Sequence, residues 1–438
     1  MKSDFFELVQ RLCANLARDE TLLCSLAGER SDFVRFNHAR VRQAGTIEQR
    51  YLSMRLVRAR RQAYASIALA GGADDFALAR ATLEQLRGIL AHLPEDPWLL
   101  ISEEPNSTDV ERRGRIPQPE DVVQQATTLA RDVDFVGFYA GGTIARGFAN
   151  SLGQRNWHEI DSFVFDWSLH LHADKAVKNS YAGLEWNAGI FEAKLREDAE
   201  RLGALATPAM TLPPGEYRAF LAPRALEEIV YLLALEGFSA RARATRQSPL
   251  LKMEHDERLS QKVTLAENTE DGIAPAFQQE GYTRPPRVTL IAGGTLAESL
   301  VSPRSAREYG LTTNGANAGE RPESIDLAPG DLATVDALDA LGTGLYIGNL
   351  WYLNFSDRPA GRITGMTRFA TFWVEGGRIV APVNVLRFDD TLYRMLGDNL
   401  LALTRERELL VSTSTYYERS TASTRLPGAL LSSLRFTL

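Results

Sequence analysis

The stretch Ala222-Pro-Arg-Ala-Leu-Glu-Glu-Ile-Val-Tyr-Leu-Leu-Ala-Leu-Glu-Gly237 reads as one element, an amphipathic helix that opens on a proline and ends at a glycine. Leu226, Val230 and Leu233 recur at helical spacing and predict a core-facing stripe. Just before it, Thr207-Pro208 and Leu212-Pro-Pro-Gly215 make the sharpest break in the chain. Beyond it lie a polar, loop-rich stretch from Ser239 to Arg287 and then mostly strand. The reading is α+β, with an N-terminal α/β region at 1–210 and a strand-rich domain at 211–438.

The N-terminal region divides further into 1–95 and 118–210. A first helix is expected with Asp4 as its cap, Glu7 completing a capping box, and Phe5, Leu8, Val9, Leu12 and Leu16 in one stripe. Strands are expected at Thr21–Leu26, Phe33–Phe36 and Tyr51–Leu69, then a helix from about Asp75 to His92. Pro94 to Glu120 reads as a linker or long loop. The second piece has a helix after Pro119, strands at Phe135–Ala140, Ile144–Asn150 and Ser162–Asp174, and a helix from about Gly189 to Ala206. Further on, the strands Phe369–Val374 and Arg378–Val383 flank Gly376-Gly377, which suits a two-residue hairpin because the turn needs positive φ.

A chain of 438 residues, 44% hydrophobic, buries a large core, and its net charge of -7 is that of an ordinary soluble protein. Eight arginines between Arg35 and Arg61 alternate with apolar residues, which reads as a solvated sheet face and not as a nucleic-acid stripe. Cys13 and Cys24 are the only cysteines, so a reducing compartment is expected and a Cys-rich metal site is excluded. No signal peptide and no membrane-length apolar run is present; the expected location is cytoplasmic.

Most catalytic signatures are missing. Ala292-Gly-Gly-Thr-Leu-Ala-Glu298 lacks the third glycine of a dinucleotide loop and the Lys-Ser/Thr of a phosphate loop, and reads as a turn. Ser302, Ser305 and Ser356 have no Gly-x-Ser-x-Gly context, and Glu227 and Glu228 point in different directions on their helix. His170 and His172 project from one face of a strand, Asp174 shares their phase, and His158 lies upstream. These residues are either polar side chains on a sheet surface or an alternative metal site at His158, His170 and His172. The aromatic strand Tyr346 to Phe355 offers Trp351, Tyr352 and Asn354 as core or as a peptide-binding surface; an extended peptide adds to a free sheet edge through backbone hydrogen bonds.

Several segments together resemble the TldD/PmbA (TldE) peptidase family. They are Leu345-Tyr-Ile-Gly-Asn-Leu-Trp-Tyr-Leu-Asn-Phe-Ser-Asp357, Thr364-Gly-Met-Thr-Arg368, Phe372-Trp-Val-Glu-Gly-Gly-Arg-Ile-Val-Ala-Pro-Val383 and Leu386-Arg-Phe388. Asn150-Ser-Leu-Gly153, Phe165-Asp-Trp, Asp174-Lys-Ala-Val177 and Tyr181-Ala-Gly183 resemble the family's middle region. The resemblance implies a cytoplasmic zinc-dependent peptidase system, in which a metal-bearing TldD-type subunit pairs with a TldE-type subunit. The pair encloses a chamber for unfolded peptides or leader peptides.

The TldD-type metal motif is His-Glu-x-x-x-His with a Cys near the C-terminus. Anchored on Pro223 and Leu235-Glu-Gly237, its three positions fall on Glu228, Ile229 and Leu233, and no Cys follows Cys24. The resemblance therefore implies a TldE-like chain with no catalytic residue and no metal of its own, and zinc in a TldD-type partner. Thr367 and Arg368 match a family Thr-Arg pair near the chamber, but Phe369-Ala370 stands where Asp-Gly is usual. The expected peptide-binding set is thus Trp351, Tyr352, Asn354, Thr367 and Arg368. The alternatives are a stand-alone peptide-binding scaffold, as a homodimer, and a peptidase built on His158, His170 and His172.

Overall fold

The structure, a computed structural model, describes residues 1–172 and 175–437. Its first half is a seven-stranded sheet with four helices. Helix α1 (Lys2–Cys13) leads into β1 (Thr21–Asn37), β2 (Arg40–Arg58) and β3 (Arg61–Ala68), followed by α2 (Asp74–Leu90). Then come β4 (Thr108–Arg112), α3 (Pro119–Leu129), β5 (Asp134–Asn150), β6 (Arg155–His172), β7 (Lys175–Gly183) and α4 (Ala188–Ala204). The strand order is β3-β2-β1-β5-β6-β4, with β7 also paired to β6. Strands from 1–95 and from 118–210 therefore share one sheet.

The helices form where apolar residues repeat at helical spacing, and α1 buries Phe5, Leu8, Val9 and Leu12 as expected. Its start differs: Met1 is the N-cap residue, and Asp4 sits in the first turn, 3.2 Å from the terminal amine. The strands run longer than expected. Thr21–Leu26 and Phe33–Phe36 are parts of one β1, and Phe135–Ala140 and Ile144–Asn150 are parts of one β5. The pair Gly141-Gly142, which reads as a break, keeps β5 in the sheet: Gly142 has φ 151, and a Cβ there would run into the Arg30 carbonyl on β1. Tyr51–Leu69 is not one strand but the end of β2, a turn at Ala59-Arg60 (φ 47 and 63), and β3. The expected linker Pro94–Glu120 contributes β4, which pairs parallel to β6. The last two residues of the expected strand Ser162–Asp174 lie outside the described residues.

The second half is an eleven-stranded sheet. Its strands are β8 (Gly215–Leu221), β9 (Leu265–Asn268), β10 (Arg287–Ala292), β11 (Thr295–Leu296), β12 (Ser324–Leu327) and β13 (Gly344–Asp357), then β14 (Arg362–Glu375), β15 (Arg378–Pro382), β16 (Arg387–Thr391), β17 (Leu400–Val411) and β18 (Ser423–Phe436). Strand β8 pairs with both β13 and β18, so β8, β13, β14, β16 and β18 close into a ring. Helix α5 (Pro223–Ala234) follows β8 and packs on that ring. The expected turns hold: Gly376 and Gly377 have φ 54 and 75, and Gly293 and Gly294 have φ 52 and 79. Among the described residues, no helix is long and apolar enough to cross a membrane.

Two features join the halves. One apolar cluster combines Phe165, Trp167 and Phe191 with Phe220, Tyr346 and Phe372. In addition, the segment 412–422 between β17 and β18 crosses to the first sheet and is pinned there by Arg419. That buried guanidinium donates to Ser31 Oγ (3.2 Å), the Gly142 carbonyl (3.2 Å) and the Ser162 carbonyl and hydroxyl (2.7 and 2.8 Å). Burial holds its pKa down at about 10.

Candidate functional site

Helix α5 borders a cleft between the two sheets. Its proline at the first turn costs no hydrogen bond, and Leu226, Ile229, Val230 and Leu233 are fully buried. Each such side chain contributes about 2 kcal/mol by leaving water. The opposite side carries Arg224, Glu227 and Glu228. Arg224 reaches Glu227 at 2.9 Å and Asp166 of β6 at 3.4 Å, and Lys178 of β7 reaches the other oxygen of Asp166 at 3.1 Å. Burial raises the carboxyl pKa of Glu227 and of Glu228; Arg224 opposes the shift in both, and Lys178 opposes it at Glu228.

The three residues onto which the family resemblance maps the metal motif fall differently on this helix. Glu228 is half-buried beside those ion pairs, whereas Ile229 and Leu233 sit in the apolar core. Two aliphatic side chains and one carboxylate do not fit a zinc ion, which needs several nitrogen, sulfur or oxygen donors converging on one point. Among the described residues, no group of three or more His, Cys, Asp or Glu is placed to hold a metal.

The alternative metal site at His158, His170 and His172 is not assembled. All three lie on β6, and His158 is twelve residues from His170, about 40 Å at the rise of an extended strand. His158 is buried, its Nε2 is 3.1 Å from the Ile273 carbonyl, and burial lowers its pKa to about 4. His170 bonds instead to Ser168 Oγ at 2.9 Å, and His172 is exposed at the strand end. A shared strand fixed their faces but also kept them apart. Asp174 lies outside the described residues.

The cleft has a volume of about 830 Å³. Its walls include Lys194 and Arg201 of α4, Arg224, and Tyr346, Gly348 and Asn349 of β13. Lys194 pairs with Glu408 of β17 at 2.8 Å, so the walls are tied across the gap. The Arg201 guanidinium lies 5.0 Å from the Tyr346 ring centroid, and burial pushes the Tyr346 hydroxyl up to about 12. Sequence reasoning missed this pair, because Tyr346 is one aromatic among several and Arg201 has no motif around it.

Strand β13 runs out of this cleft. It pairs with β14 through Asp357 but with β8 only over Leu345–Ile347, so from Gly348 onward its other edge has no strand partner among the described residues. Trp351 and Tyr352 are 47% and 74% exposed, and the Arg368 guanidinium lies 4.5 Å from the Trp351 ring centroid. Tyr352 and Phe369 have φ 58 and 56, which is strained for bulky aromatics and occurs where the β13–β14 register shifts. Asn354 is exposed further along, its Oδ1 accepting the Phe355 N–H at 2.9 Å. Thr367 departs from the expected set: it is buried, and it exchanges hydrogen bonds with the Leu386 backbone at 2.9 and 3.0 Å. The strand's pleat turns it inward while its neighbour Arg368 faces out.

Residues 214–438 match the family model described as the PmbA/TldA metallopeptidase C-terminal domain. That is more than half of the chain, and the chain belongs to the TldD/PmbA metallopeptidase family. The fold is similar over its whole length to that of TldE from Thermococcus kodakarensis, with a TM-score of 0.80 at 14% identity, covering 99% of this chain and 100% of that one. A protein from Thermotoga maritima, described as a candidate modulator of a DNA gyrase, superposes at 0.77 with 16% identity over 99% of this chain and 100% of its own. A similarly described protein from Bacteroides thetaiotaomicron superposes at 0.77 with 14% identity, over 99% of both chains. A comparison with curated protein sequences gives no match.

Proposed function

We propose that this chain is a TldE-like subunit of a cytoplasmic TldD/TldE-type zinc metallopeptidase acting on unfolded or leader peptides. It carries no metal; it shapes the chamber and holds peptide, and a TldD-type partner supplies zinc and cleavage. The observation that carries this reading is the burial of Ile229 and Leu233, two of the three metal-motif positions, in the apolar core. The edge of β13 from Gly348 onward, which has no strand partner among the described residues, and the exposed Trp351–Tyr352–Arg368 patch support the peptide-holding role. A strand edge binds backbone regardless of sequence, and exposed aromatic rings add affinity with little ordering cost.

The test is metal analysis with a peptidase assay, on the chain alone and mixed with a TldD-type subunit. The expected result is no stoichiometric zinc and no cleavage alone, with cleavage and co-purification in the mixture. Zinc near one equivalent held by this chain's own residues overturns the reading. So does a solitary homodimer that ignores every TldD-type subunit.

A further inference from the structure

A second groove lies on the first sheet, between the β1–β2 hairpin and the 412–422 segment. Two cavities of about 560 and 280 Å³ share Arg35, Phe138 and Thr415 in their walls and form one trough. Its lining sets Arg35, Arg42 and Arg419 against Asp166, Glu29 and Glu418, and cations from outside the lining pair with two of those three carboxylates. Both oxygens of Asp166 are taken by Arg224 and Lys178. Glu29 accepts from Gln49 and from the Arg419 backbone, and Glu418 pairs with Arg146 at 3.2 Å. At the hairpin end, Asp134 is engaged by His38 at 2.7 Å. Arg35 and Arg42 have no carboxylate within ion-pair distance among the described residues, and both are exposed to the trough. Arg35 also lies over the Phe138 ring at 5.6 Å. The far bank carries Tyr416 and Tyr417, 84% and 78% exposed with their rings 5.2 Å apart.

We infer that this trough is an acidic-peptide subsite, in which Arg35 and Arg42 bind carboxylate side chains of an extended peptide while the tyrosines flank its backbone. Unneutralised guanidinium groups are forked donors for carboxylates, and a neighbouring aromatic face keeps Arg35 in place without consuming its charge. The inference rests on the peptide-holding reading above and adds a chemical class to it.

The experiment is fluorescence anisotropy with three short labelled peptides, identical except for a central run of Glu, Gln or Lys. The wild type is expected to bind the Glu peptide about tenfold more tightly than the Gln peptide, with the Lys peptide weakest and the preference fading at high salt. The double variant Arg35→Gln/Arg42→Gln should lose the preference and keep its thermal stability, both side chains being exposed. Trp351→Ala should weaken all three peptides by the same factor. Charge-blind binding, or a preference that survives in the double variant, overturns the acidic subsite alone. A failure to bind any of the peptides overturns the peptide-holding reading with it. Equal affinity for a single-stranded oligonucleotide of the same charge overturns the choice of peptide.

Discussion

Asp198 of α4 is fully buried, accepting hydrogen bonds from Trp167 Nε1 at 2.8 Å and Asn179 Nδ2 at 3.1 Å. Burial still raises its pKa from 3.8 to about 6, with Arg201, Trp167 and Asn179 pulling the other way. Between those values the folded chain holds a proton that the unfolded chain has released, so stability falls as pH rises through the window and is level above it. A shift of that size is worth about 3 kcal/mol. Asp198→Asn is expected to flatten this slope in urea unfolding followed across the window; a variant that parallels the wild type rules the carboxyl out as its source. None of this was legible in the sequence, where Asp198 is one acid in a charged helix. Arg419 was equally hidden, since its partners lie on three strands far away in the chain. The sequence left the aromatic strand open as core or as surface, and the structure exposes Trp351 and Tyr352 with Arg368 beside the Trp351 ring. Thr367 was misplaced because the pleat, and not its residue type, decides its face.

Helices α2, α4 and α5 lie close to their expected positions because their apolar spacing is a local property that survives in any tertiary setting. Helix α5 packs its stripe against the ring of strands, so Leu233→Ala should leave a cavity and cost about 2–5 kcal/mol. Urea denaturation measures this, and a loss below about 1 kcal/mol contradicts the packing described. The hairpins were harder to read. The β1–β2 and β2–β3 turns use His38-Ala39 and Ala59-Arg60, all with positive φ and none of them glycine. Long pairing registers on both sides overrule the residues' own preference there. Gly141-Gly142 is the reverse case, a turn-like pair inside a strand, where a Cβ at Gly142 would meet the Arg30 backbone and one at Gly141 the Tyr139 side chain.

The whole molecule places its two sheets over one shared apolar cluster, with Phe165 and Phe191 from one half against Phe220 and Phe372 from the other. Arg419 and the Lys194–Glu408 pair add polar ties across the same boundary. Cores that interdigitate in this way lose their contacts together, so calorimetry should show a single unfolding transition. Two resolved transitions would show that the halves melt independently. The sequence by itself determined the class of fold, the order of most helices and the family resemblance. Those follow from spacing and residue type along a short stretch of chain. Only the tertiary structure decided that Ile229 joins Leu233 in the core, that His158 stays far from His170 and His172, and that, among the described residues, Arg35 and Arg42 have no carboxylate within ion-pair distance. Each of these depends on which distant side chains arrive nearby, and no local pattern encodes that.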